Sequence, residues 1–235
     1  MFSYVCVALV FVAACMAEEQ NFSSPTPMQS NFCKSKNGYY KVDASCDSYV
    51  ECVRYMAETK SCPDGLHFNP AAVWPQYPCG YPMDVPCLGR EASQPAQATA
   101  DCPHQFGFFK SPLASTENCG QYRQCVGGIA HEMVCPTGLA FNPDSGRCDW
   151  PDNVASCDAK LFLGFTCPSG DDANYQYHGN CFYFFSCTNG NARLLQCDQG
   201  LAFDPASGLC VDEDRVNCKV DAISPRNAVP RAQPL

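Results

Sequence analysis

The residues of this chain with the greatest capacity for chemistry are its 20 cysteines. At about 9% of 235 residues, that density reads as an oxidised scaffold in an exported protein rather than as catalytic thiols. The apolar run Phe2 to Cys15 is too short to span a bilayer, and Cys15 and Ala17 are small residues where a signal peptidase reads, so residues 1–17 are taken as a signal peptide cleaved after Ala17. Cleavage removes Cys6 and Cys15 and leaves three sets of six cysteines, with no odd thiol to be reactive or to bridge chains.

Other chemistries find little footing. Zinc needs closely spaced Cys or His ligands, and none stand at such spacing, so no metal or other cofactor is expected. His67, His104, His131 and His178 sit at unmatched positions and read as surface residues. There is no G-x-S-x-G elbow. The dense acidic cluster Asp212-Glu213-Asp214 occurs in one repeat only, which excludes a repeat-encoded carboxylate pair of the glycosidase kind. The formal charge of -9, without Lys/Arg clusters, disfavours nucleic acid and anionic membrane surfaces as partners.

What does recur is aromatic. Tyr39-Tyr40 and Phe108-Phe109 share an offset from the first cysteine of their sets. Tyr49, Tyr122 and Phe184 stand three residues after the second, and Phe68, Phe141 and Phe203 six after the fourth. Tyr81 and Trp150 follow the fifth by two. Side chains alternate faces along a strand, so Tyr49, Tyr122 and Phe184, an odd number of residues from Cys52, Cys125 and Cys187, are expected to point away from the disulfides as exposed stacking rings. Phe68, Phe141 and Phe203 are expected to fill cores; for Tyr81 and Trp150, parity with their cysteines argues inward while a module without a thick core often leaves such a ring half open, and both readings stand.

The elements that must position these residues come in three copies. Cysteines 33, 46, 52, 62, 79 and 87 are separated by 12, 5, 9, 16 and 7 residues; 102, 119, 125, 135, 148 and 157 by 16, 5, 9, 12 and 8; 167, 181, 187, 197, 210 and 218 by 13, 5, 9, 12 and 7. The constant second and third gaps mark one fixed geometry, read as a β-hairpin that turns at Gly127-Gly128 and Asn189-Gly190. Arg54-Tyr55 stands at that place in the first copy, where a different turn or a longer loop is expected. A second hairpin follows the fourth cysteine, with Leu139 to Phe141, a turn through Asn142 to Gly146, and a return through Arg147 to Trp150. No segment has helical periodicity. The layout is then a leader (18–32) with a glycosylation acceptor at Asn21, module 1 (33–87), a linker (88–101), module 2 (102–157), a linker (158–166), module 3 (167–218) and a disordered tail (219–235). Modules this short need their disulfides for stability and leave no room for a deep pocket. Six cysteines allow 15 pairings, and spacing alone does not choose.

This spacing, the repeated CPDGLHFNP, CPTGLAFNP and CDQGLAFDP stretches and the Cys148-Asp149-Trp150-Pro151 run resemble the peritrophin-A type chitin-binding domain. The three-module layout resembles that of the cuticular proteins analogous to peritrophins, the obstructor group, and within it the obstructor-E type. The resemblance implies small all-β modules, each a three-stranded sheet plus a two-stranded hairpin, with the first cysteine joined to the third, second to sixth and fourth to fifth. That is Cys33 with Cys52, Cys46 with Cys87 and Cys62 with Cys79; Cys102 with Cys125, Cys119 with Cys157 and Cys135 with Cys148; Cys167 with Cys187, Cys181 with Cys218 and Cys197 with Cys210. The implied function is non-catalytic binding of chitin in secreted extracellular matrix, the cuticle, alongside other matrix proteins.

Chitin is uncharged and offers C–H faces to aromatic rings, so Tyr40, Phe109 and Trp74 join the rings above as candidate contacts. Each stacked ring is worth about 0.5–1.5 kcal/mol by analogy with aromatic pairs, and linked modules gain by effective concentration. The third module has Asp212 in the place of Trp150 and is expected to add least; the first carries four extra residues before Cys79, including Trp74. The competing class is a Cys-rich interaction or inhibitor module, against which stands the absence of one distinctive loop.

Overall fold

A computed structural model describes residues 32–168 and 172–217. The expected signal peptide, Asn21, Cys218 and the tail lie outside the described residues.

The first module is an antiparallel sheet of β1 (Asn37–Lys41), β2 (Ser48–Val53) and β3 (Met56–Ser61), followed by a hairpin of β4 (His67–Phe68) and β5 (Cys79–Gly80). The second repeats it with β6 (Gly107–Lys110), β7 (Gln121–Val126) and β8 (Ile129–Val134), then β9 (Ala140–Asn142) and β10 (Arg147–Asp149). The third has β11 (Asn174–Gln176), β12 (Tyr183–Thr188) and β13 (Asn191–Gln196), then β14 (Leu201–Asp204) and β15 (Leu209–Asp212). In every copy the two constant cysteine gaps span the central hairpin, whose register runs from Ser48↔Ser61 to Val53↔Met56 and equivalently in the others. One inserted residue would turn every side chain beyond it to the other face, which is why the length does not vary.

The Arg54-Tyr55 turn corrects the sequence expectation. It is the same two-residue turn as the others, with φ of 54° and 65°, beside 59° and 79° at Gly127-Gly128 and 51° and 77° at Asn189-Gly190. Positive φ at both central positions is the type I′ signature. Side chains are strained there, and two tethers hold them: the Arg54 amide donates to the Asn37 side chain and the Tyr55 amide to the Lys36 carbonyl, both at 2.9 Å.

Disulfides join Cys33–Cys52, Cys46–Cys87 and Cys62–Cys79 in the first module, Cys102–Cys125, Cys119–Cys157 and Cys135–Cys148 in the second, and Cys167–Cys187 and Cys197–Cys210 in the third. Cys181 is also disulfide-bonded. Cores are correspondingly small: that of the first module is Tyr49, Cys62, Leu66 and Phe68. At about 2–4 kcal/mol each, three bridges per module offset the shortage of apolar burial.

Neither connection between modules is bare. Along residues 90–97 the chain straps the first module: Ala92 forms a parallel bridge with Ser45, Arg90 is buried and donates to the carbonyls of Ser45, Cys46, Phe68 and Cys87, and the Gln94 amide donates to Asp47 at 2.7 Å. The second connection contains a short helix, α1 (Ala159–Leu163), which the sequence reading did not anticipate. Asp158 caps it by accepting from the amides of Lys160 and Leu161, and Phe162 packs it on the second module's core.

Candidate functional site

The same pair of rings lies at the heart of each module. Tyr49 stacks on Phe68 at 4.9 Å and 11°, Tyr122 on Phe141 at 5.0 Å and 15°, and Phe184 on Phe203 at 5.0 Å and 10°. Phe68, Phe141 and Phe203 are buried, as expected for core rings. The outer rings are less open than strand parity predicts: Tyr49 is only 7% exposed, and Tyr122 and Phe184 are half-buried. The parity itself is right and the premise was not. Cys52 ties down the segment before β1 on one face of the sheet, while the second hairpin folds over the other, the face that carries Tyr49. Both faces are therefore packed. In the first module Tyr39 closes the stack edge-on at 5.7 Å, its hydroxyl donating to the Gln76 carbonyl at 3.0 Å, and so Tyr49 belongs to the core.

Other candidates have structural partners. The Tyr40 hydroxyl bonds to the Ser35 amide and hydroxyl, and its ring meets Phe32. Phe109 folds over Gly107 and stacks on His104. Trp74 is half-buried in the inserted loop, whose Val73 and Tyr77 are exposed. Tyr77, 65% exposed, is the most open ring in the described residues and was missed because the insertion has no counterpart in the other repeats. Also missed was a cluster on the other face of the third sheet, where Phe165 stacks on Phe185 at 4.1 Å with Tyr175 and Tyr177 beside it.

Tyr81 and Trp150 lie at module junctions. Tyr81 meets Phe108 of the second module at 4.8 Å. Trp150 lies beneath Arg193 of the third, whose guanidinium carbon is 5.1 Å from the ring centre and which also pairs with Asp152 at 3.2 Å. Asp149 aims the indole: its carboxylate accepts from the Asn153 side chain at 3.0 Å, the Trp150 amide at 2.7 Å and the Asn142 side chain at 3.3 Å, and these donors hold it below the usual carboxylate range.

Two histidines depart from the surface reading. His67 hydrogen-bonds the Val85 carbonyl at 2.8 Å, and His104 bonds buried Asp64 at 2.7 Å across the first junction. His131 and His178 are exposed. Cys46, His67 and Cys87 converge as a metal site might, but the two sulfurs are joined to one another and supply no thiolate.

These features define a class: tandem disulfide-stapled β modules with shallow faces built from paired rings. Residues 33–87, 102–157 and 167–218 match the chitin-binding peritrophin-A domain, and the chain belongs to that family. It is 38% identical to protein obstructor-E of Drosophila melanogaster over 195 residues, covering 76% of this chain and 77% of that one. It is 44% identical to chondroitin proteoglycan 2 of Caenorhabditis briggsae over 94 residues, 40% of this chain and 18% of that protein. With peritrophin-1 of Anopheles gambiae it shares 30% identity over 118 residues, 48% and 74% of the two chains. No helix among the described residues is long and apolar enough to cross a membrane.

Proposed function

We propose that the protein is a secreted, non-catalytic chitin-binding protein that holds and organises chitin in an extracellular matrix such as arthropod cuticle, where other matrix proteins are its neighbours. The observation that carries the reading is the ring pair repeated in all three modules with centroids 4.9–5.0 Å apart, together with membership of the chitin-binding family. A half-open ring backed by a buried one is a rigid platform, which suits the C–H face of a neutral sugar and spares the ordering cost of a mobile side chain. Tyr122 and Phe184 are the platforms of the second and third modules, and exposed Tyr77, in the inserted loop, serves the first. A non-catalytic role is supported by the buried carboxylates, Asp47 and Asp64, whose oxygens are committed to internal hydrogen bonds.

Retention of the full chain on colloidal chitin, with cellulose as the control, tests this. Retention on chitin alone, little changed by salt, is the expected result. Passage through both matrices, or equal retention on both, would overturn it. A steep loss at high salt would show instead that the acidic chain recognises deacetylated, cationic glucosamine.

A further inference from the structure

Between the first and second modules lies a cleft of about 710 Å³, a size typical of small-ligand sites, which occur preferentially at such junctions. The cleft is built by two modules together, so it falls outside the expectation that one module alone leaves no room for a deep pocket. One module contributes Tyr81 and Met83 to its walls, the other Phe108 and Arg147, and the connecting strap Ser93 and Gln94.

The electrostatics of the cleft define what it can take. Arg147 reaches across to Asp84 at 2.6 Å and to the Met83 carbonyl at 3.1 Å, so its charge is spent closing the junction. Asp64 receives His104 and the amides of Gln97 and Gln105; Asp47 receives Ser45, Ser48 and the Gln94 amide. Asp144 lies on the exposed hairpin turn at the rim. An anionic ligand would find no free cation, since the one arginine in the lining is paired with Asp84. A neutral ligand with apolar faces and many hydroxyls finds the Tyr81 and Phe108 rings, 4.8 Å apart and inclined at 51°, beside polar strap residues.

We infer that this cleft is a composite subsite for one N-acetylglucosamine oligomer, gripped jointly by the first two modules, whose ring planes receive consecutive units of the chain. The inference rests on the chitin reading above. It adds that the junction, and not only each module's own face, binds sugar, and that these modules act as one unit on one chain.

The test is a titration of the full chain with fully acetylated chitohexaose, followed by backbone amide shifts. The amides of residues 65–67, 81, 83 and 93–94, together with 106–109 and 144–147, should shift along one common binding curve. Ser93→Arg, placed in the strap wall, should weaken that curve by about tenfold, and Tyr81→Ala by about threefold to tenfold. Unchanged shifts at the Asp64–His104 contact would show that the junction is still closed in both variants. Shifts on one side of the cleft only, or an unchanged affinity in Ser93→Arg, would overturn the inference. Wild-type retention on colloidal chitin separates the two claims: retention without cleft shifts sinks the composite site alone, and no retention sinks the chitin reading itself.

Discussion

The guanidinium of Arg193 lies over the indole of Trp150, from the third module to the second, as the ring of Phe108 lies against Tyr81 from the second to the first. The two contacts are alike at the docking ring but come from opposite outer strands of the following sheet, β6 for Phe108 and β13 for Arg193. Trp150 and Tyr81 both stand two residues after the fifth cysteine, and Phe108 and Arg193 occupy the same cross-strand row of the following sheet, Phe108–Gln124–His131 in one and Asn174–Ser186–Arg193 in the other. That position docks each module onto the next. In the third module it holds Asp212, which is exposed and pairs with Arg215 at 3.4 Å.

Removing that contact should uncover the indole. In a Trp74→Phe background, Arg193→Ala should make Trp150 fluorescence clearly more accessible to acrylamide, with the β-sheet circular dichroism unchanged. The loss in stability should be about 1–2 kcal/mol, because the cation–π contact and the ion pair with Asp152 go together. Equal quenching in parent and variant would show that Arg193 does not shield the ring.

Gly65 and Gly200 separate a local cost from a junction cost. Both have positive φ, +90° and +82°, so alanine at either carries about 1–2 kcal/mol of backbone strain. A Cβ on Gly65 would also stand 1.9 Å from the Phe106 carbonyl of the next module, whereas on Gly200 it would meet nothing within 4 Å. Gly65→Ala should therefore loosen the first junction and expose the strap to protease, while Gly200→Ala leaves it resistant. Equal protease sensitivity of the two variants would refute the close approach.

The first junction should also answer to acid through Asp64. Burial alone would push this carboxyl up, but the bond from His104 and the Gln97 and Gln105 amides outweigh burial and hold it below the usual carboxylate range. Because the folded value is depressed, the stabilisation is complete above the ordinary carboxylate pKa and is lost as pH falls through the lower, folded one. Protection of the Gln97 and Gln105 amides against exchange, relative to the intrinsic rate, should stay high at neutral pH and fall only in stronger acid, and Asp64→Asn should abolish that step. An Asp64 carboxyl titrating at or above its ordinary value would contradict this.

The outer rings should divide by burial. Tyr122→Ala should lower retention on chitin several-fold and cost about 1–3 kcal/mol, since the ring is both platform and partner of Phe141. Tyr49→Ala removes a buried ring and should cost about 3–5 kcal/mol, lowering retention mainly by loosening the first module. Denaturant unfolding beside chitin retention distinguishes them, and a larger stability loss in Tyr122→Ala would reverse the assignment.

The first hairpin is the place to gain stability. Replacing Arg54-Tyr55 with Asn-Gly relieves two side chains held at positive φ and should stabilise the first module by about 1–2 kcal/mol. A lower unfolding midpoint would mean that the present residues contribute contacts worth more than their strain.

Local chemistry was legible in the sequence. Two constant cysteine gaps require a hairpin of one length, because period-two alternation tolerates no slip, and Gly127-Gly128 and Asn189-Gly190 name the turn that closes it. Asn142 to Gly146 named the second turn for the same reason. Arg54-Tyr55 escaped because the register of β2 with β3, helped by tethers to Lys36 and Asn37, imposes a conformation those residues do not prefer. Parity placed Tyr49, Tyr122 and Phe184 on the face opposite Cys52, Cys125 and Cys187, since alternation is a property of the strand alone. Which face would be covered, and whether Trp150 and Tyr81 would look at solvent or at another module, depended on surfaces far apart in the chain: the second hairpin folding over its own sheet, and Arg193 and Phe108 arriving from the next. Alternation fixes the direction of a side chain, but burial depends on what arrives from elsewhere, and only the tertiary structure decides that.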